Sequence, residues 1–323
     1  MGNSDIRDMV TIEEIDYSDI TGVDIAVDAS NWMYKYMTTT VEYTNIGEYK
    51  TDDGEEVPEL LGCFKGIKKF KENDLNAVFV FDGLASELKQ DELDRRREVK
   101  EEAEEKAQDA DDEIEQAKYD SRTQRLTEGK VERVKKLVQL CGYDIVHAPS
   151  AAEAQAAKMA QKDASYVLSN DYDTIIFGSP NTLRNFTSTN RPLERVNFTD
   201  TLRDTELTHQ QLIWAVILCG TDYNDGVYGV GPATAQKIVT EYDTFEALLE
   251  DKGYEIENWE EIISLYQNPT VDMDLSYSYP SENADISQLE SFLIDDWDLP
   301  EDSLEPTFEF LREQEKDTTL LDY

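Results

Sequence analysis

Ser165-Tyr-Val-Leu-Ser-Asn-Asp171-Tyr-Asp173, continued by Thr174-Ile-Ile-Phe-Gly178, is the stretch that decides the fold. An apolar run leads into two carboxylates two residues apart, then into a second apolar run closed by glycine. The first run reads as a buried strand. A carboxylate just past such a strand sits where open α/β sheets place their ligands, at the carboxyl ends of the strands. Two acids in one polar turn repel each other unless a hard cation lies between them. A single Asp-x-Asp also reads as an Asx-type turn that satisfies its own backbone, so the weight falls on whether the arrangement recurs.

It does recur. Asp24-Ile-Ala-Val-Asp28 and Ala77-Val-Phe-Val-Phe81, the latter closed by Asp82-Gly83, are short apolar strands that end on an acid. Tyr143-Asp-Ile-Val-His147 is a further strand; Ser150 after it is a good N-cap, with Glu153 as capping-box partner of an alanine-rich helix over 151–161. Helical spacing follows Asp28 through Trp32, Tyr34 and Tyr36, and appears again in Pro58–Phe70, Val131–Leu140 and from Thr208 to Gly220. Strands alternating with helices predict an α/β protein with a central, mostly parallel sheet flanked by helices. Residues 40–57 read as a hairpin or loop, and Thr182–Phe186 and Arg195–Phe198 as edge strands. Beyond Asp243 the chain reads as helical pieces, with Trp259 and Trp297 packing the core.

Residues 87–136 are the most biased segment, opening Glu87-Leu-Lys-Gln-Asp-Glu-Leu-Asp-Arg-Arg-Arg97. So few apolar residues predict a helix that buries little and is held by i,i+4 charge pairs. It reads either as a solvated helical arm or as a lid over the site.

The 323 residues carry 71 acidic against 30 basic side chains, a net charge of −41. Such a balance normally argues against a nucleic-acid partner, whose affinity comes largely from basic surface. Here the acids run the length of a patterned chain, so it is not a solvated disordered polymer. Even acidity over a folded pattern points to a protein made for concentrated salt, where screening falls to about 3 Å at 1 M. Cys63, Cys141 and Cys219 lack any Cys-x-x-Cys spacing and read as small buried residues in a reduced compartment. With no membrane-length apolar run and no signal peptide at Met1-Gly2-Asn3, a cytoplasmic location is expected.

With parallel strands, Asp28, Asp82, Glu153, Asp171, Asp173 and Asp222 gather along one rim. Oxygen-only donors suit Mg²⁺ or Mn²⁺, and no His/Cys set suits zinc. Two such ions about 4 Å apart are the device of phosphodiester hydrolysis. A second element, Gly220-Thr-Asp-Tyr-Asn-Asp-Gly-Val-Tyr-Gly229-Val-Gly231-Pro-Ala-Thr-Ala-Gln-Lys237, places a Gly-x-Gly hairpin before a helix. Its backbone N–H groups can hold a phosphate without reading sequence, although a plain glycine turn between helices has the same pattern.

Ile25-Ala-Val-Asp28-Ala-Ser, Val78-Phe-Val-Phe-Asp82-Gly83, Ala148-Pro-Ser-Ala-Ala-Glu153-Ala-Gln, Asp171-Tyr-Asp173 with Phe177-Gly178, and Gly220-Thr-Asp222-Tyr followed by Gly229-Val-Gly231 resemble, in order and spacing, the flap endonuclease family of structure-specific 5′ nucleases. The resemblance covers nearly the whole chain. It implies one PIN-like 5′ nuclease domain over 1–323, with an N-terminal nuclease region (1–86), a helical arch (87–136), an internal nuclease region (137–220), an H3TH-type helix–hairpin–helix (221–250) and a C-terminal helical region (251–323). It implies a structure-specific 5′ flap endonuclease and 5′–3′ exonuclease acting on branched DNA in replication and repair. Asp28, Asp82 and Glu153 would surround one Mg²⁺ and Asp171, Asp173 and Asp222 the other, with Mn²⁺ an alternative. Lys89 and Arg96 would face the scissile phosphate from the base of the arch. Tyr34 would stack on the displaced terminal base, while Gly2, Gly229 and Gly231 would meet DNA, with K⁺ at the hairpin. The protein would act as a monomer.

Two departures stand out. The family usually has Glu-x-Glu where this chain has Ala151-Ala152-Glu153, so one carboxylate of the first cluster is missing. That keeps open a DNA-junction binding protein with weakened or lost catalysis; an RNA-directed nuclease of the same metal type is a further alternative. The C-terminus, Asp317-Thr-Thr-Leu320-Leu-Asp-Tyr323, keeps only Leu320 and one aromatic of the family's sliding-clamp peptide, so a clamp partner is expected only through a degenerate motif.

Overall fold

The computed structural model describes residues 5–83, 126–188, 190–279, 281 and 283–321, with side chains as far as 314. Gly2, Lys89, Arg96 and most of the expected arch lie outside these residues.

Among the described residues one sheet contains β1 (Ile12–Ile15), β2 (Asp24–Asp28), β3 (Asn76–Phe81), β4 (Asp144–His147), β5 (Tyr166–Leu168), β6 (Asn181–Arg184) and β7 (Leu193–Asn197), in the order β1-β7-β6-β5-β2-β3-β4. Neighbours from β6 through β5, β2 and β3 to β4 are parallel; β7 runs antiparallel to both β6 and β1. From β2 the chain winds outward to β3 and β4, then returns to build β5 and β6 on the other side. β2 and β5 therefore flank the point where the winding reverses, the place where open α/β sheets hold ligands.

The pattern within the strands decides which helices cover which face. In β3, Ala77, Phe79 and Phe81 point to one side and Val78 and Val80 to the other. The bulky face packs under α1 (Ala29–Tyr43), α2 (Pro58–Glu72) and α3 (Glu128–Leu140), where Trp32 meets Phe79 edge-on at 4.9 Å. The smaller face, with Ala26, Val78, Val80 and Val167, receives α4 (Ala152–Lys162) through Ala152, Ala156 and Met159. Both faces of these strands are buried, which is why they read as continuous apolar runs. A second core gathers the short helix α5 (Asp173–Ile176), α6 (Phe198–Thr205), α7 (His209–Cys219), α8 (Pro232–Val239), α9 (Phe245–Lys252) and α10 (Trp259–Gln267). The chain closes with α11 (Ile286–Glu290) and α12 (Glu301–Leu321), whose Phe308 packs on Phe64 of α2.

The mostly parallel sheet, the helices after β2, β3, β4 and β5, and burial of Cys63 and Cys141 agree with the reading of the sequence; Cys219 is half-buried. The two strands read as edges are internal: β6 lies between β5 and β7, and β7 between β6 and β1. The true edges are β4 and β1, and β1 (Ile-Glu-Glu-Ile) carries no strand signature because its two central residues are acids. Within 40–57, α1 continues to Tyr43, and a Lys50–Glu56 bridge closes a small hairpin further on.

Candidate active site

Asp28 is both the last residue of β2 and the N-cap of α1. Its Oδ1 accepts the Asn31 N–H at 3.1 Å, and its Oδ2 accepts the Ser169 hydroxyl at 2.9 Å. Burial, then the charges of Glu153 and Asp82, push the Asp28 carboxyl well above the usual carboxylate range. The buried Asp28 carboxyl thus feels the charges of half-buried Glu153 and exposed Asp82.

Asp82 directly follows β3 and is exposed. Its Oδ1 accepts the Ala152 N–H at 2.8 Å, and its Oδ2 accepts the Ser30 hydroxyl. The N-cap of α4 is Ala151, which makes no side-chain cap, so the expected Ser150/Glu153 capping box does not form. The acid at the end of a neighbouring strand replaces it, and Glu153 instead lines the cavity. Gly83 makes this close approach feasible: a Cβ there would stand 2.1 Å from the Ala148 carbonyl oxygen.

The 169–173 turn is held from both sides. The Asp171 N–H donates to Ser169 Oγ at 3.1 Å, so Ser169 links this turn to Asp28. The Asn170 N–H donates to Asn31 Oδ1 at 3.0 Å, Asn170 Oδ1 accepts the Asn185 N–H at 2.9 Å, and the Asn170 carbonyl accepts Arg184 Nη2 at 3.0 Å. Arg184 lies over the Tyr172 ring and pairs with Glu194, which also binds Arg7. Asp173 is buried at the start of α5 and accepts the Tyr266 hydroxyl at 3.4 Å. Burial, then Asp173, Tyr223, Asp222 and Asp171, push the Tyr266 phenol well above its ordinary value, so all three acids act on this hydroxyl. Asp222 sits on a tight turn after α7, closed by Thr221 N–H to Asn224 O at 2.9 Å and Asn224 Nδ2 to Ile217 O at 2.8 Å.

The structure thus brings the predicted acids into two sets that meet at Asp171. Asp28, Asp82, Glu153 and Asp171 line one cavity of about 320 Å³, with Tyr34 on its wall, 44% exposed. Asp173 and Asp222 join Asp171 around Tyr266. Among the described residues no trio of acid, imidazole or thiol side chains closes on a metal-binding point by itself.

The hairpin lies between α7 and α8. Gly229 has φ +82°, a conformation that favours glycine, and Tyr228 beside it is fully exposed. Gly231 is the N-cap of α8 at φ −99°, and a Cβ there would meet nothing within 4 Å. Neither its backbone nor its surroundings within the chain demand glycine.

Sequence reasoning missed Ser30, Asn31, Ser169, Asn170, Arg184 and Tyr266. The first four adjoin the acidic motifs and are polar residues at strand ends, which was a usable signal. Arg184 and Tyr266 reach the site only through tertiary packing.

The XPG N-terminal domain family matches residues 3–103 and the XPG I-region family residues 142–222. A flap endonuclease 1 from Haloquadratum walsbyi is 41% identical, covering 96% of this chain and 95% of its own length. A solved flap endonuclease-1 from Methanococcus jannaschii superposes with a TM-score of 0.75 at 31% identity, covering 95% of this chain and 96% of its own. The catalytic core of Rad2 in complex with DNA substrate shares the fold at TM-score 0.73 and 20% identity, over 96% of this chain and all of its own. A parallel sheet with an acid-lined cavity at its switch point, together with these matches, defines a nuclease of the XPG class. Within that class, the chain belongs to the flap endonuclease 1 family. The haloarchaeal source of the relative at 41% accords with the −41 charge.

Proposed function

We propose that this chain is a divalent-metal-dependent 5′ flap endonuclease and 5′–3′ exonuclease that cuts branched DNA in replication and repair. The observation that carries the reading is the lining of one cavity by Asp28, Asp82, Glu153 and Asp171 beside the exposed ring of Tyr34. A donor set of carboxylates alone fits a hard cation such as Mg²⁺ or Mn²⁺, and Glu153 and Asp82 lie close enough for their charges to act on Asp28. Asp28, Asp82 and Glu153 would hold one ion and Asp171, Asp173 and Asp222 the other. When bound, such ions lower the pKa of water and stabilise the leaving oxygen.

The chain's own residues do the positioning. Ser169 holds Asp28 and Asp171 in one register, and Asn31 and Arg184 clamp the turn between them. Tyr34 offers a stacking face for the terminal base. Lys89 and Arg96, from the arch, would stabilise negative charge on the scissile phosphate. Gly231 supports duplex binding because it has no internal reason to lack a side chain, as expected where a phosphate backbone passes close. K⁺ at the hairpin and a sliding clamp at the C-terminus belong to the same reading.

The test is cleavage of a labelled 5′ flap in multimolar KCl with Mg²⁺ and then Mn²⁺. Asp171→Asn should lower the rate at least about 100-fold, beyond the 10- to 100-fold typical of an outer-shell partner. Flap binding with no cut product in either metal would overturn the enzyme reading in favour of a junction-binding protein.

A further inference from the structure

Beside the acid-lined cavity lies a second one of about 270 Å³, and the two share Ser150, Ala151 and Tyr223. The shared wall is low because residue 151 carries only a methyl group. The character of the lining changes across it. The first cavity is lined by carboxylates; the second has half-buried Leu265 and Pro269 as its apolar surface, over the buried rings of Phe177 and Tyr223. Phe177 and Tyr223 both pack against the ring of Tyr266, at 4.9 and 5.7 Å between centroids, so this floor is rigid. Neutral hydrogen-bonding groups, Ser264 of α10, its C-cap Asn268 and Thr270, also line it, together with a single acid, Glu261.

We infer that this second cavity receives one nucleobase of the DNA strand being cut, from a nucleotide flanking the scissile phosphate. Three features select a base over other parts of a nucleotide. Aliphatic walls over an aromatic floor, with a few neutral polar groups, suit a flat heterocycle that packs by its face and forms edge hydrogen bonds. Glu261 disfavours a phosphate in the same space. The volume lies just under the roughly 300–1,000 Å³ of pockets that hold whole small ligands, which suits one base. Continuity over Ala151 lets the phosphate stay at the carboxylate rim while its base lies across the wall. Tyr34 lines the first cavity and not the second, so the cut strand would have two separate holds, one in each cavity.

The inference rests on the DNA-cleavage reading, and the experiment separates the two. KM and kcat are measured with flaps that are intact, or abasic at one or the other nucleotide flanking the cut, for the wild-type protein, Ser264→Phe and Asn268→Ala. Ser264 is exposed, and thermal melting verifies the fold of each variant. Filling the cavity with Ser264→Phe should raise KM about tenfold or more on the intact flap, the loss expected when a stacked base is displaced. Asn268→Ala should raise it in the same direction by less. One abasic position should cost the wild type as much, and cost Ser264→Phe nothing further. An unchanged KM in Ser264→Phe, or losses that multiply at both abasic positions, would overturn the base pocket while leaving cleavage intact. Absence of cleavage by the wild type would overturn the DNA-cleavage reading and the pocket with it.

Discussion

At the scale of single residues, the site depends on acids whose second oxygens are already committed. Asp82 illustrates this: it ends β3, accepts the Ser30 hydroxyl and caps α4 through Ala152 N–H. Ala151, the residue before that bond, lies with Ser150 and Tyr223 in the lining shared by the two cavities. Ala151→Glu therefore has two separable effects. A carboxylate added beside Glu153 should lower the Mg²⁺ concentration for half-maximal cleavage, because another negative oxygen donor strengthens a hard-cation site. The longer side chain should also narrow the passage to the second cavity and raise KM for the flap. Metal titrations at saturating flap and flap titrations at saturating metal separate the two. An unchanged metal requirement would mean that water already fills the ligand position.

At the scale of elements, the hairpin between α7 and α8 is the clearest case of a shape that the chain itself explains only in part. Gly229 is required locally: its φ of +82° would cost a side chain roughly 1–2 kcal/mol. Gly231 is not, since its φ is −99° and a Cβ would meet open space. Gly229→Ala should thus lower the melting temperature. Gly231→Ala should leave stability within about 0.5 kcal/mol of wild type and weaken binding to nicked duplex about tenfold. Melting curves and gel-shift titrations on the same two variants check both halves. Equal DNA affinity for Gly231→Ala and the wild type would remove the hairpin from the DNA-binding surface.

At the scale of the whole molecule, 71 acids against 30 bases leave a net −41, and several of the bases serve as internal ties. Arg133 of α3 donates to buried Glu59 of α2 at 2.8 Å and lies over Trp297. Arg184 and Arg7 share Glu194. With acids outnumbering bases more than two to one, self-repulsion of the surface acids is relieved mainly by salt, whose screening length falls from about 8 Å at 0.15 M to about 3 Å at 1 M. The melting temperature should rise by at least about 5 °C between 0.15 M and 2 M KCl, corresponding to about 3 kcal/mol at this size. Sucrose at matched osmolality should give a smaller rise. Equal rises in KCl and sucrose would assign the effect to solute exclusion instead of screening.

The α/β class, the positions of β2, β3, β4 and β5, and the acids at their ends were legible in the chain itself. Strands buried on both faces read as unbroken apolar runs, and the residue after such a run is placed by the strand's end. Other features needed the tertiary structure. β1 and the internal positions of β6 and β7 depend on which strands pair across long separations, which no local pattern encodes. The cap of α4 comes from Asp82, 70 positions earlier than Ala152, whereas local rules pointed to Ser150. Asp173 meets Tyr266 from the far end of the second core, and the base-sized cavity exists only because α10 packs against Phe177 and Tyr223 beside a residue as small as Ala151. Local sequence set the chemistry of the acids; long-range packing decided which of them share a cavity and what lies beside it.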